Sequence, residues 1–103
     1  MASGRLGAAD LAAATNTSLY TVPGGKTASL SVNFANRTGA PVSVRLALAA
    51  AGTPVASEWI LYDAQIEGFG ALERSGLVLD ATKIVVVYCN AANVSAVAFG
   101  FEE

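Results

Sequence analysis

The chain has 103 residues and a formal net charge of −2, enough for one domain that folds around a single core without metal or disulfide. Charged residues make up 14% and apolar residues 53%, against about 25% charged in ordinary soluble domains, so either a neutral Ser/Thr/Asn-rich exterior or burial against partners must stand in for the missing charge. The basic residues Arg5, Lys26, Arg37, Arg45, Arg74 and Lys83 are scattered, which predicts no nucleic-acid partner, and every apolar run is broken well short of the about 18 residues a membrane helix needs, which predicts no membrane partner.

Residues 1–16 form an Ala/Gly-rich arm. Residues 8–14 could make one or two helical turns, marginal alone at that length, with Leu6 and Leu11 as the large apolar side chains of the arm. The arm reads either as a frayed terminus or as a segment that docks its leucines on a neighbouring subunit or on its own sheet. The first residues lack the apolar stretch of a secretory signal, so synthesis in a cytoplasm is expected.

From Ser18 the pattern changes to strands and turns. A short strand at 18–22 ends at Pro23-Gly24-Gly25, a strong turn signal. Residues 27–36 alternate, with Ala28, Leu30, Val32 and Phe34 on one face and Ser29, Ser31 and Asn33 on the other, as a half-buried strand does. Residues 42–49 alternate again, with Val42, Val44, Leu46 and Leu48 inward. These two runs read as an antiparallel hairpin closed by a short loop. A longer loop at 50–57 leads to a strand at 58–66. A turn at 67–70 follows, then a strand at 71–77. Residues 83–90 are a nearly continuous β-branched run, the mark of a central strand covered on both faces. A strand at 94–101 closes the domain. About seven strands at roughly ten-residue spacing predict an all-β fold, a single antiparallel β-sandwich over 17–103, Ig-like or jelly-roll-like, preceded by the short N-terminal arm.

Chemistry-bearing residues are few. The chain has no histidine, the commonest general base and metal ligand, so no catalytic, cofactor-binding or metal site is expected and the chain is read as a non-enzyme. The single cysteine, Cys89, lies in an apolar run and is expected to be buried and inert. A carboxylate pair such as Asp63 with Glu73 reads more simply as a solvated edge or a cross-strand ion pair to Arg74. Gly24-Gly25-Lys26 lacks the spacing of a phosphate loop and leads into a strand, so it is a turn. Sequons at Asn16, Asn36 and Asn93 are short enough to arise by chance. Trp59, Tyr62 and Phe69 are an aromatic trio near loops. They read as core or subunit contacts first and as a sugar platform second.

The segments Leu19-Tyr20-Thr21-Val22-Pro23-Gly24-Gly25-Lys26, Glu58-Trp59-Ile60-Leu61-Tyr62-Asp63, Leu72-Glu73-Arg74-Ser75-Gly76 and Val85-Val86-Val87-Tyr88 together resemble small tailed-bacteriophage virion structural proteins of about this size. The resemblance extends over nearly the whole chain and lies in turn and strand signatures. It departs at Glu67-Gly68-Phe69-Gly70, where a more proline-rich, less aromatic turn would be expected. It implies a capsid decoration, head-fibre or tail-associated role in the virion after synthesis in a bacterial host. The implied partners are the chain itself, as a homo-oligomer with a trimer as one form, and virion proteins such as the major capsid protein. Leu6, Leu11, Trp59, Tyr62 and Phe69 are the candidate contact residues. A host-glycan-binding module is the second expectation.

Overall fold

A computed structural model describes residues 3–103. In chain order the strands are β1 (Ser3–Leu11), β2 (Thr17–Thr21), β3 (Ala28–Asn36), β4 (Val42–Ala49), β5 (Trp59–Ile66), β6 (Ala71–Leu79), β7 (Ile84–Cys89) and β8 (Val94–Glu102), with one 3₁₀ turn at Ala56–Glu58. They form two four-stranded antiparallel sheets, β1-β8-β3-β6 and β2-β7-β4-β5. Only the β4–β5 connection stays within one sheet; every other one crosses between them. The fold is thus an all-β sandwich, as the strand spacing implies, and the interleaved order is that of an eight-stranded jelly roll.

Alternation explains the core. Leu30, Val32 and Phe34 of β3 and Val42, Val44 and Leu46 of β4 point between the sheets and are buried. Val85, Val87 and Cys89 of β7 join them, and Cys89 is a buried free thiol as expected. Each fully buried large aliphatic or aromatic side chain contributes about 1.5–3 kcal/mol. The expected β3–β4 hairpin does not form. β3 lies between β8 and β6, whereas β4 lies between β7 and β5. Alternation fixes which side of a strand is covered but not its neighbour, and two half-apolar strands bury the same sides by facing each other across the core.

The N-terminal arm is also corrected. Residues 3–11 are a strand, not helical turns, and β1 pairs with β8 along its whole length. The sandwich therefore begins by Ser3, and a boundary at residue 16 does not separate an arm from it. Pairing with β8 satisfies a row of backbone groups at once, which outweighs a marginal helix. Gly7 permits the docking, because a Cβ there would collide with the carbonyl of Leu19 on β2. That near-contact closes one side of the sandwich. On the same side the Tyr20 phenol of β2 donates to the Glu102 carboxylate of β8.

Asn36 organises one end of the sandwich. It is the one buried polar side chain among the described residues. Its amide donates to the carbonyls of Ala40 at 2.8 Å, Glu67 at 3.0 Å and Ile66 at 3.3 Å, and its oxygen accepts from the Thr38 N–H at 3.0 Å and hydroxyl at 2.8 Å. The 37–41 crossover and the 67–70 turn are thereby fixed together.

The inner pairs β3–β8 and β4–β7 keep an unbroken register. Every pair that involves an edge strand slips, and the extra residue always lies on the edge strand: β1, β2, β6 or β5. Bulged edges are poor templates for strand addition.

Candidate interaction surfaces

Much of the outward side of the β2-β7-β4-β5 sheet is covered by the chain itself, with Tyr62 of β5 left 59% exposed at its margin. Ser18, Val86, Ala47 and Trp59 form one cross-strand row. Val86, Ala47 and Ala49 are fully buried although they face away from the core, and Trp59 and Ile84 pack against them. The 50–58 loop reaches across to β2, where a Cβ at Gly52 would lie 3.7 Å from the Ser18 hydroxyl. Glu58 holds that loop, its carboxylate accepting from the N–H of Ala50 at 3.0 Å and of Val55 at 2.9 Å.

Beside this loop Arg45 lies between two aromatic rings, 4.1 Å from the centre of Tyr62 and 4.5 Å from that of Tyr88. Asp63 accepts from Arg45 Nε at 2.7 Å and from Nη2 at 3.3 Å. Asp63 occupies the left-handed region, with φ 55°, within the irregular part of β5, a conformation that Asp tolerates better than most residues. Its hydrogen bonds hold the Arg45 guanidinium above its ordinary value, against a smaller opposing desolvation. Trp59 meets Tyr62 edge-on, with ring centres 5.5 Å apart. The result is a ladder of Trp59, Tyr62, Arg45 and Tyr88 whose charges are paired within the chain.

The outward side of the β1-β8-β3-β6 sheet is open. Small residues of β8, Val94, Ala96 and Ala98, face the core, and the larger Val97, Phe99 and Phe101 face out. Phe101 lies opposite Ser29 of β3, and Ser29 opposite Val78 of β6. Val78 is 63% exposed, Phe101 43% and Phe99 38%. The outward positions of β3 add Ser29, Ser31, Asn33 and Ala35, so the two central strands carry no charge on this face. Charge stands only at the margins, on β1 and β6.

The residues singled out from the sequence fall in different places. Leu11 is in the core, 2% exposed, and Leu6 packs against that core. Both leucines dock on the chain's own sandwich, the second of the two docking readings, and this corrects their reading as anchors for a partner. Trp59 and Tyr62 do come together. Phe69 does not join them: it lies in the 67–70 turn, beside Gly39 of the crossover. Its N–H donates to the Thr38 carbonyl at 2.8 Å, its φ is 58°, and it is 77% exposed. The trio is therefore a pair and a separate loop tip. Asp63 and Glu73 lie on different sheets, and Asp63 bonds Arg45 rather than Arg74. The alternation of 42–49 places Arg45 outward, as it is, but not its aromatic partners, and Tyr88, Val78, Phe99 and Phe101 are not legible as surface groups. For β8 the signal was present: both phases of 94–101 are apolar, and the bulkier phase is the one outside.

Among the described residues there is no pocket and no grouping of three or more Cys, His, Asp or Glu that could hold a metal ion. No helix of the described residues is long and apolar enough to cross a membrane. Comparison with protein-family models, curated proteins and solved structures gave no match.

Proposed function

We propose that this chain is a structural component of a bacteriophage virion, a capsid decoration or fibre-base protein that binds the particle and associates with itself. The observation that carries this reading is the open face: Phe99, Phe101 and Val78 lie exposed on a sheet whose central strands have no outward charge. Exposed contiguous apolar surface marks interaction sites in soluble domains. The low overall charge and the strand and turn segments that resemble phage virion proteins support the same reading. Eight-stranded jelly rolls also serve as viral capsid and lectin domains, an analogy at the level of fold only.

The glycan-binding alternative has less to stand on. Of the aromatic trio only Trp59 and Tyr62 stand together for a sugar to stack on, and Arg45 already takes one face of Tyr62. A tail or baseplate position is a different address for the same assembly chemistry.

The test is to purify intact particles made with and without this gene and to measure the chain's copy number by quantitative mass spectrometry. A fixed stoichiometry to the major capsid or tail protein, with imaged density lost in the deletion, is the expected result. Particles identical in composition and density with and without the gene overturn the proposal.

A further inference from the structure

We infer that the open face of the β1-β8-β3-β6 sheet binds a second copy of this chain in a twofold, sheet-on-sheet dimer. The inference deepens the assembly role proposed above and rests on it.

Three observations converge on this partner. The first concerns the edges. All four edge strands carry bulges, while the inner pairs are regular. Edge-to-edge strand addition is therefore disfavoured, and association is directed to a face. Of the two outer faces, one has its central apolar residues Ala47, Ala49 and Val86 already buried beneath the chain, which leaves the other, whose central strand β8 exposes Phe99 and Phe101.

The second is charge. Arg5 on β1 pairs in register with Phe99, which lies opposite Ser31, and Glu73 on β6 lies opposite Asn33, which pairs with Val97. Arg5 and Glu73 thus stand on opposite lateral margins of one face, in neighbouring cross-strand rows. Neither has an ionic partner among the described residues. A twofold axis in the plane of the face and parallel to its strands carries the β1 margin of one copy onto the β6 margin of the other. Each Arg5 then meets the other copy's Glu73, and the pairing occurs twice because a twofold interface uses the same patch on both sides. The uncharged central strands β8, with Phe99 and Phe101, and β3 pack over their counterparts as inner sheet faces do, and Val78 on β6 lies over the β1 margin of the other copy.

The third is area. Four strands about 4.8 Å apart, with nine residues each at about 3.4 Å, give a face of roughly 600 Å². Two such faces bury roughly 1,200 Å², the lower end of specific protein interfaces. The expected complex is therefore reversible and concentration-dependent, suited to a subunit that is assembled in many copies.

The experiment is sedimentation equilibrium of the full chain over a wide concentration range. The wild type should dimerise. Val78→Asp and Phe101→Asp each place an unpaired carboxylate in the apolar contact and should raise the dissociation constant by about tenfold or more, while far-ultraviolet circular dichroism stays unchanged. Arg5→Glu alone and Glu73→Arg alone should weaken the dimer, and Arg5→Glu with Glu73→Arg in the same chain should restore it. A chain that stays monomeric at high concentration overturns the inference. So does a dimer that ignores the Val78 and Phe101 variants, or a charge swap that fails to restore association. The particle measurement is separate: a monomer still found in virions removes the dimer and leaves the function, and a dimer absent from virions does the reverse.

Discussion

Val86 and Val97 hold equivalent positions in the two halves of the molecule. Each sits on an inner strand and points away from the core. Val86 is fully buried, under the loop and the residues around Trp59, whereas Val97 remains partly exposed beside Phe99. One sheet spends a nine-residue loop, a tryptophan and an arginine–aromatic ladder to cover its outside. Among the described residues, the other has nothing of its own over two phenylalanines and a valine. Both faces obey the same alternation, so the difference lies in what the connecting segments do. Where the chain supplies a cover, an outward apolar residue is a second small core. Where it does not, the same kind of residue is available to another molecule.

The largest effect that separates the faces comes from placing a charge on each. Val86→Asp buries an unpaired carboxylate under the loop and should cost about 3–5 kcal/mol. Val97→Asp leaves its carboxylate within reach of water and should cost about 1 kcal/mol or less. Urea unfolding, at concentrations too low for association, measures both. Equal costs would mean that the two faces are covered to the same degree, and the comparison would fail.

A smaller difference should appear on truncation. Trp59→Ala uncovers Val86 and Ala47 and removes the edge contact with Tyr62, for a loss of about 1–3 kcal/mol given that Trp59 is only half-buried. Phe99→Ala should leave the isolated chain within about 1 kcal/mol of wild type, with its consequence seen in association instead. The pair of measurements assigns Trp59 to stability and Phe99 to assembly. A reversal of that order would exchange the roles of the faces.

How far the sequence reveals these roles follows from the physics of alternation. The two-residue period of β3 and β4 identifies their buried sides, and the β-branched run of β7 identifies a strand covered on both faces, which Val86 confirms. The period does not name a strand's neighbours, so β3 and β4 look like a hairpin when they face each other across the core. Alanine content conceals β1, because a strand with few large side chains looks like a helix or an unstructured arm until its partner β8 is known. The surfaces were harder still. In β8 both phases are apolar, and size favours burying the phenylalanines. The chain instead buries Val94, Ala96 and Ala98, and on that side of the sheet the bulk beside Ala96 comes from Phe34, its partner on β3. Alternation places Arg45 on the outside of β4, but its partners Tyr62, Asp63 and Tyr88 come from two other strands, and nothing in the local sequence of β4 indicates them.

The smallest expected effect lies where the two sheets meet. Tyr20 belongs to the covered sheet and Glu102 to the open one, and their hydrogen bond crosses between them. Burial, then the hydrogen bond to Glu102 and that carboxylate's charge, push the Tyr20 phenol up from its ordinary value of 10.0 to about 12. A raised value means that the folded chain holds this proton more tightly than the unfolded chain does. The associated stability is complete below pH 10 and is lost as pH rises toward about 12. Tyr20→Phe removes the titrating group along with the bond. Near neutral pH it should cost about 1 kcal/mol, and the variant should lose less stability than wild type between those two limits. Unfolding midpoints across the alkaline range test this. Converging curves place the strut between the sheets at Tyr20, and parallel curves would mean that the phenol does not couple folding to pH and that the two sheets are held on this side by the Gly7–Leu19 approach alone.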